Sequence, residues 1–419
     1  MKKNVIFLLI FLASTSCIVD IEPERVIIDA KDIETLVLNI DRTKYLKLEK
    51  SDDFPIMAWY GIPSGQISIE RFREAKEAGI NYHYQSYPNA DTVRKVLDIA
   101  QKIGMKIIIA CPEVRNTPVE IARRFKGHPA NAGYFVFDEP AANMFPYING
   151  LVEKIMATDP DRFCYVNLFP NHTPLDGLIS ENYTDYVTRA INEIPLKILS
   201  FDNYPIVEKN LRWDWYANLE TIRQLTENAS IPFWAFALTT AHDYYPVPDL
   251  NQLRLQVYSN LAYGAKGIQY FTYWNPSSTR WNFNNAPILQ DGTRTNVYDA
   301  MKRLNQEIRS LAHVFQDSEV VKVVHYGKDI PYGTKSVDKL PTSVNFLNIR
   351  GGNALISELR NDSSSFVLIQ NSNLLKDIGV SIKLDTLTNL ILKDGSIIPS
   401  HLIKEEFKLL PGDVAIFMK

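Results

Sequence analysis

Gly133-Tyr134-Phe135-Val136-Phe137-Asp138-Glu139-Pro140 joins an unbroken run of four apolar residues directly to two carboxylates, with Pro140 as the stop. A strand buried on both faces reads as a continuous apolar run. Two acids at its end place charged groups at the lip of a packed core. One reading makes Asp138 the cap of a following helix and leaves Glu139 solvated, because capping residues are ordinary at strand–helix loops. The other makes the pair functional. The pattern on either side of the stretch decides between them.

That pattern is a regular alternation. Short apolar runs lie at 55–59, 80–84, 106–110, 133–137, 163–167, 197–201, 232–237 and 267–273. Between them fall stretches with apolar residues at helical spacing: 68–78, 91–103, 118–125, 145–157, 183–193, 215–228 and 250–263, with a last one at 296–314. Gly79, Gly104 and Gly264 stand where three of these helices should end, as helix C-termini commonly do. Strands alternating with amphipathic helices imply parallel β/α units. Eight units over residues 54–316 predict a closed (β/α)8 TIM barrel. A doubly wound open sheet is the competing architecture, and eight regular repeats argue against it.

The flanks read differently. Residues 1–17 carry Lys2 and Lys3, an apolar run from Val5 to Ala13, then Ser14-Thr15-Ser16-Cys17. A basic start, a short apolar core and small residues before a cut site make a secretory signal, and the run is shorter than the ~20 residues that span a bilayer. Small residues directly before a cysteine resemble the bacterial lipobox. The resemblance implies lipidation of Cys17 and an extracytoplasmic, membrane-anchored lipoprotein at the periplasmic face or cell surface. Residues 18–53 are acidic and β-branched and predict one or two strands of an outlying sheet. Residues 317–419 lose the helical alternation and show short β-rich runs separated by Gly, Asn, Asp and Ser. They predict a C-terminal antiparallel β-sandwich.

Composition removes several functions. The net charge is −3, with no basic stripe to bind nucleic acid. Beyond Cys17 only Cys111 and Cys164 remain, both in apolar strand contexts, so disulfides do not carry the fold. The seven histidines are scattered and no Gly-rich phosphate loop follows a strand. Neither a metal nor a cofactor is expected.

In a (β/α)8 barrel the site forms at the C-terminal strand ends, where the βα loops converge. Those ends hold Trp59 and Tyr60; Tyr82, His83 and Tyr84; Glu113 and Arg115; Asp138 and Glu139; Asn167; Asp202, Asn203 and Tyr204; Thr239, Thr240, His242 and Asp243; and Tyr273-Trp274-Asn275. Aromatic faces stack on sugar rings, and carboxylates and amides bond hydroxyls, so the set describes a carbohydrate cleft. Any single aromatic is as well explained by core packing; the set carries the argument. Glycosidic cleavage needs two carboxyl groups. Glu139, buried beside aromatics and repelled by Asp138, suits the acid. Asp202 is the first choice for its partner and Glu113 the second. Trp59, His83, Glu113, Asp138, Asn167, Tyr204, Tyr273 and Trp274 are the expected substrate contacts.

The barrel resembles the clan A glycoside hydrolases, family 42 β-galactosidases among them, and lipoproteins of Bacteroidetes that serve polysaccharide utilisation. The matching residues are Asp138-Glu139-Pro140, where the clan has Asn-Glu-Pro with the glutamate as acid/base, and Tyr270-Phe271-Thr272-Tyr273-Trp274, which looks like its sugar-stacking tryptophan. The clan's nucleophile is a glutamate ending strand seven. Here that strand reads Phe233 to Thr240 with no acid before Asp243. The sequence therefore predicts a glycoside hydrolase acting on an oligo- or polysaccharide. The alternative of another class is a non-catalytic glycan-binding lipoprotein on a degenerate barrel, which the missing acid favours. A barrel deacetylase or lyase is a third reading.

Overall fold

The computed structural model describes residues 36–38 and 44–419. The expected signal segment and Cys17 lie outside the described residues, as does most of the expected strand pair over 18–53. Eight parallel strands form a closed barrel: β1 (Ile56–Trp59), β2 (Tyr82–Tyr84), β3 (Lys106–Ile109), β4 (Asn131–Asp138), β5 (Phe163–Leu168), β6 (Leu199–Phe201), β7 (Phe233–Leu238) and β8 (Ile268–Phe271). Closure is made by β8 pairing with β1, Ile268 opposite Ile56 and Phe271 opposite Trp59. The helices that cover it are α1 (Ile69–Glu77), α2 (Ala90–Ile103), α3 (Pro118–Phe125), α4 (Phe145–Thr158), α5 (Tyr183–Glu193), α6 (Trp215–Ala229), α7 (Leu250–Ala262) and α8 (Asn296–Phe315). The (β/α)8 architecture read from the alternation is the architecture observed.

Side chains alternate across each strand. In β1, Ile56 and Ala58 join the core under the helices, while Met57 and Trp59 point into the barrel. Trp59, Tyr84, Phe135, Tyr165 and Phe236 fill its upper interior, with Trp59 centred 4.1 Å from Tyr84 and 5.1 Å from Phe236. This aromatic plug makes the barrel a packed core and gives the cleft above it a floor.

From Glu319 the chain is β: β9 (Glu319–Tyr326), β10 (Val344–Arg350), β11 (Ala354–Arg360), β12 (Ser365–Asn371), β13 (Ile378–Leu384), β14 (Asn389–Ile391), β15 (Ile397–Ile398), β16 (Glu406–Leu409) and β17 (Val414–Met418). A six-stranded sheet in the order β9-β11-β12-β17-β14-β15 faces a three-stranded sheet β10-β13-β16. The larger sheet is buried on both faces. Phe366 and Leu368 belong to the barrel's core, and Val367 and Ile369 to the sandwich core, which is why these strands read as continuous apolar runs. Polar ties hold the contact. Gln370 Nε2 donates to the carbonyls of Arg254 and Leu255, and Ser357 Oγ donates to that of Ala262 at 2.7 Å. The described part of the N-terminal segment bridges to this region through Val37–Ile403 and Lys47–Ser396.

Because one sheet serves two cores, Leu368→Ala should lower stability by about 2–4 kcal/mol. Barrel and sandwich should unfold in one transition, which denaturant titration followed by tryptophan fluorescence and far-UV dichroism would check.

Candidate active site at the mouth of the barrel

A cleft of about 510 Å³ opens at the C-terminal strand ends. Its position follows from how β4 ends. Alternation from Phe135 inward would send Phe137 inward and Asp138 out. A bulge prevents this: Phe135 pairs with Tyr165 and Phe137 with Val166, so β4 carries one extra residue. Bulges of this kind re-aim side chains. Phe137 turns outward, where Arg115 lies 5.7 Å from its ring centre, and Asp138 comes to the cleft. Glu139 then adopts a left-handed conformation (φ 46°), pinned by its N–H to the Asn167 carbonyl at 2.8 Å. A non-glycine residue held there stores strain.

Three carboxyl groups meet at the floor: Asp138 and Glu139 from β4, and Asp202 from the end of β6. Asn167, from β5, bridges them. Its amide donates to Asp138 Oδ1 at 3.2 Å and to Asp202 Oδ1 at 2.8 Å. The amide oxygen is occupied by the Ser200 hydroxyl at 2.9 Å, which orients both N–H bonds toward the acids. Behind Ser200 stand Tyr165, 2.6 Å away, and the Gln269 amide, 2.9 Å away. The support for the carboxylates is thus a hydrogen-bonded chain inside the barrel.

The electrostatics follow from enclosure. Burial pushes the Glu139 carboxyl well above the usual carboxylate range, and the Asp202 and Asp138 charges push it further. Asp202 is raised by burial and then by Asp138, while hydrogen bonds from Asn167, its own backbone and Glu139 pull it back. Asp138 can be reached by water yet is walled by protein, and is pushed up to about 6 by burial against its bond from Asn167. Glu139 and Asp202 lie close enough to shift each other, Glu139 upward and Asp202 downward, a direction that leaves the proton of the pair on Glu139. Two neighbouring carboxyl groups cannot both ionise cheaply.

Of the other expected contacts, Trp59, Asn167 and Tyr204 line the cleft, with Tyr204 centred 5.6 Å from Phe271. Four others lie elsewhere, and each is a correction. His83 is fully buried behind β2, where its Nε2 accepts the Ile62 N–H at 2.8 Å. A Cβ on Gly61 would lie 2.2 Å from that nitrogen, so glycine is what lets the loop approach the ring. Burial lowers the His83 pKa to about 3, so the ring is neutral. Glu113 accepts the Ala90 N–H at 3.0 Å and caps α2. Tyr273 and Trp274 pack outward into the core under the helices, Trp274 beneath the Arg71 guanidinium. The reason is that β8 ends at Phe271 and its alternation breaks at Thr272, whose N–H is taken by Thr240 Oγ1 at 3.0 Å. At the end of β7, Thr239 and Thr240 are buried against Thr272. Phe236, Tyr245, Phe271 and Trp281, which are not among the expected contacts, complete the aromatic walls. Phe236 and Phe271 were findable by period-2 counting, but Trp281 sits in a long loop with no sequence signal.

The β-galactosidase model of glycoside hydrolase family 42 matches residues 137–311, from the end of β4 into α8. Solved structures agree in fold. A catalytic mutant of Gan42B, a family 42 β-galactosidase from G. stearothermophilus, aligns with a TM-score of 0.60 over 90% of this chain and 99% of its own, at 10% identity. The β-galactosidase of the psychrophilic Marinomonas ef1 aligns at 0.50 and 11% identity, over 62% of this chain and 60% of its own. An α-amylase from Geobacillus thermoleovorans aligns at 0.54 and 9% identity, over 88% of this chain and 99% of its own. The fold is the one that family 42 glycoside hydrolases use. No curated protein sequence matches the chain.

The raised carboxyls also make stability depend on pH. An acid whose folded pKa lies above its unfolded value binds more protons when folded, so stability falls as pH rises from the unfolded value through the folded one. Asp202→Asn should therefore raise the melting temperature at pH 8 by about 2–4 °C and change it little at pH 4. Calorimetry at both pH values would check this.

Proposed function

We propose that the chain is a glycoside hydrolase acting on an oligo- or polysaccharide, with Glu139 as acid/base and Asp202 as its partner. The observation that carries the reading is the meeting of Glu139, Asp202 and Asp138 at the floor of an aromatic-walled cleft, with Asn167 bonded to both aspartates. An inverting pair stands about 6.5–9.5 Å apart to admit water, and a retaining pair about 5–5.5 Å. We assign the second geometry to Glu139 and Asp202, neighbours close enough to shift each other's proton affinity. A sugar ring enters between them. Asp202 then attacks the anomeric carbon, the glycosidic C–O bond breaks, and the leaving oxygen takes the Glu139 proton. Water next attacks the glycosyl–Asp202 ester, Glu139 takes its proton, and the sugar leaves with the enzyme restored. Asp202 thus takes the part that the family resemblance assigns to an acid on strand seven. Asp138 raises the Glu139 pKa and helps keep the acid loaded.

The signal segment and Cys17 support export and tethering through a lipid. Cys17→Ser should move the protein from the membrane fraction to the soluble one.

Turnover should be measured on a panel of aryl glycosides and polysaccharides. Glu139→Gln should lower kcat on substrates with poor leaving groups by about 10²–10⁴-fold, and less on activated aryl glycosides, whose leaving oxygen needs no proton. Asp202→Asn should abolish both. The kcat/KM profile should be a bell whose limbs both lie above the ordinary carboxylate range, since the active form carries one proton on the pair. Negligible release by the native chain, together with glycan binding, would sink the hydrolase reading and leave a binding protein.

A further inference from the structure

One wall of the cleft is built from a continuous row of contacts. Arg212 Nη2 donates to the Tyr245 hydroxyl at 3.2 Å. The Tyr245 ring is centred 4.8 Å from His242, and His242 lies 6.3 Å from Trp281, edge to face. The Arg280 guanidinium stands over Trp281, 4.8 Å from its ring centre. Tyr245, His242 and Trp281 all line the cleft. Aromatic faces therefore form the middle of the row, with an arginine just outside the lining at each end, Arg212 near enough to His172 of the cleft to act on it.

Neither arginine has an anionic partner. Among the described residues no carboxylate oxygen lies within 4.0 Å of the Arg212 or Arg280 nitrogens. The Arg212 Nε is buried with no hydrogen-bond acceptor, a costly state for part of a charged group. Asp243, on the same turn as His242, is exposed and pairs with neither arginine; its N–H is tied to Asn282 Oδ1. His242 and His172, which also lines the cleft, are held below their ordinary values mainly by burial, so at neutral pH the arginines carry the positive charge of this wall.

A guanidinium fork suits a planar or tetrahedral oxyanion and gains most where the site is partly dry. Aromatic faces beside it suit the apolar face of a sugar. We propose that the cleft takes an acidic glycan, whose carboxylate or sulfate substituents meet Arg212 and Arg280 while its rings lie on Tyr245 and Trp281. The charge also sets the direction of binding. The acidic floor repels an anion and the arginines attract it, so the charged substituents sit toward the arginines and away from the bond placed at Glu139. This rests on the hydrolase reading for the position of the scissile bond, but not for the binding itself.

Calorimetry tests it on the mature chain carrying Glu139→Gln, with tetragalacturonate, a sulfated carrageenan tetrasaccharide and neutral galactotetraose as probes. At least one acidic probe should bind about tenfold or more tighter than the neutral one, and its affinity should fall with added salt. The probe that does so identifies the oxyanion as carboxylate or sulfate. Adding Arg212→Gln and Arg280→Gln should remove the preference, while Arg212→Lys and Arg280→Lys in a folded chain should retain part of it. Neutral binding as tight as acidic, or a preference that survives the double glutamine change, would overturn the proposal. Acidic binding without turnover by the native chain would instead sink the hydrolase reading and leave this one standing.

Discussion

The Asn167 amide, forked between Asp138 and Asp202, is the interaction on which the mouth of the barrel depends. Three acids crowded over a packed aromatic floor would repel one another and lose most of their water. Two devices offset this. The two Asn167 N–H bonds satisfy one oxygen on each aspartate, and a proton held on Glu139 removes a charge. Both act only because the amide cannot turn, and it cannot turn because Ser200 holds its oxygen, while Tyr165 and Gln269 hold Ser200 from within the barrel. A site of this kind is costly in stability and is preserved by what surrounds it.

What surrounds it is densely packed. Trp59, Tyr84, Phe135, Tyr165 and Phe236 plug the barrel beneath the acids. Outside the barrel, α7 and α8 are clamped by the six-stranded sheet, whose two faces belong to two cores. A buried ion pair between Arg254 and Glu307 joins those helices, and Asp413 of the sandwich lies 3.9 Å from the same guanidinium. The C-terminal sheets therefore contribute to the site indirectly, by fixing the helices behind β7 and β8.

Much of this was legible in the chain. The alternation of apolar runs and helical spacings gave eight β/α units because each period reports which face is buried. Asp138, Glu139, Asn167, Asp202 and Tyr204 were found at strand ends because a barrel brings those ends together. The misplaced residues share one cause. His83, Tyr273 and Trp274 sit at or just past strand ends, and only their direction, inward or under the helices, separates a ligand contact from core. Direction depends on local breaks in the period of two: the bulge that turns Asp138 into the cleft, and the interruption at Thr272 that turns Tyr273 and Trp274 away. Glu113 shows the same limit, since capping a helix and facing a sugar call for the same residue type.

The sequence by itself determined the barrel, the antiparallel tail, and which strand ends bear acids, because these follow from burial periodicity along the chain. Only the tertiary structure decided which acids share the cleft. Glu139 and Asp202 meet in the cleft from two strands that are not adjacent in the barrel, and the row from Arg212 to Arg280 joins three loops. Such meetings are set by bulges, loop paths and the packing of the plug, and they carry no period for a sequence to display.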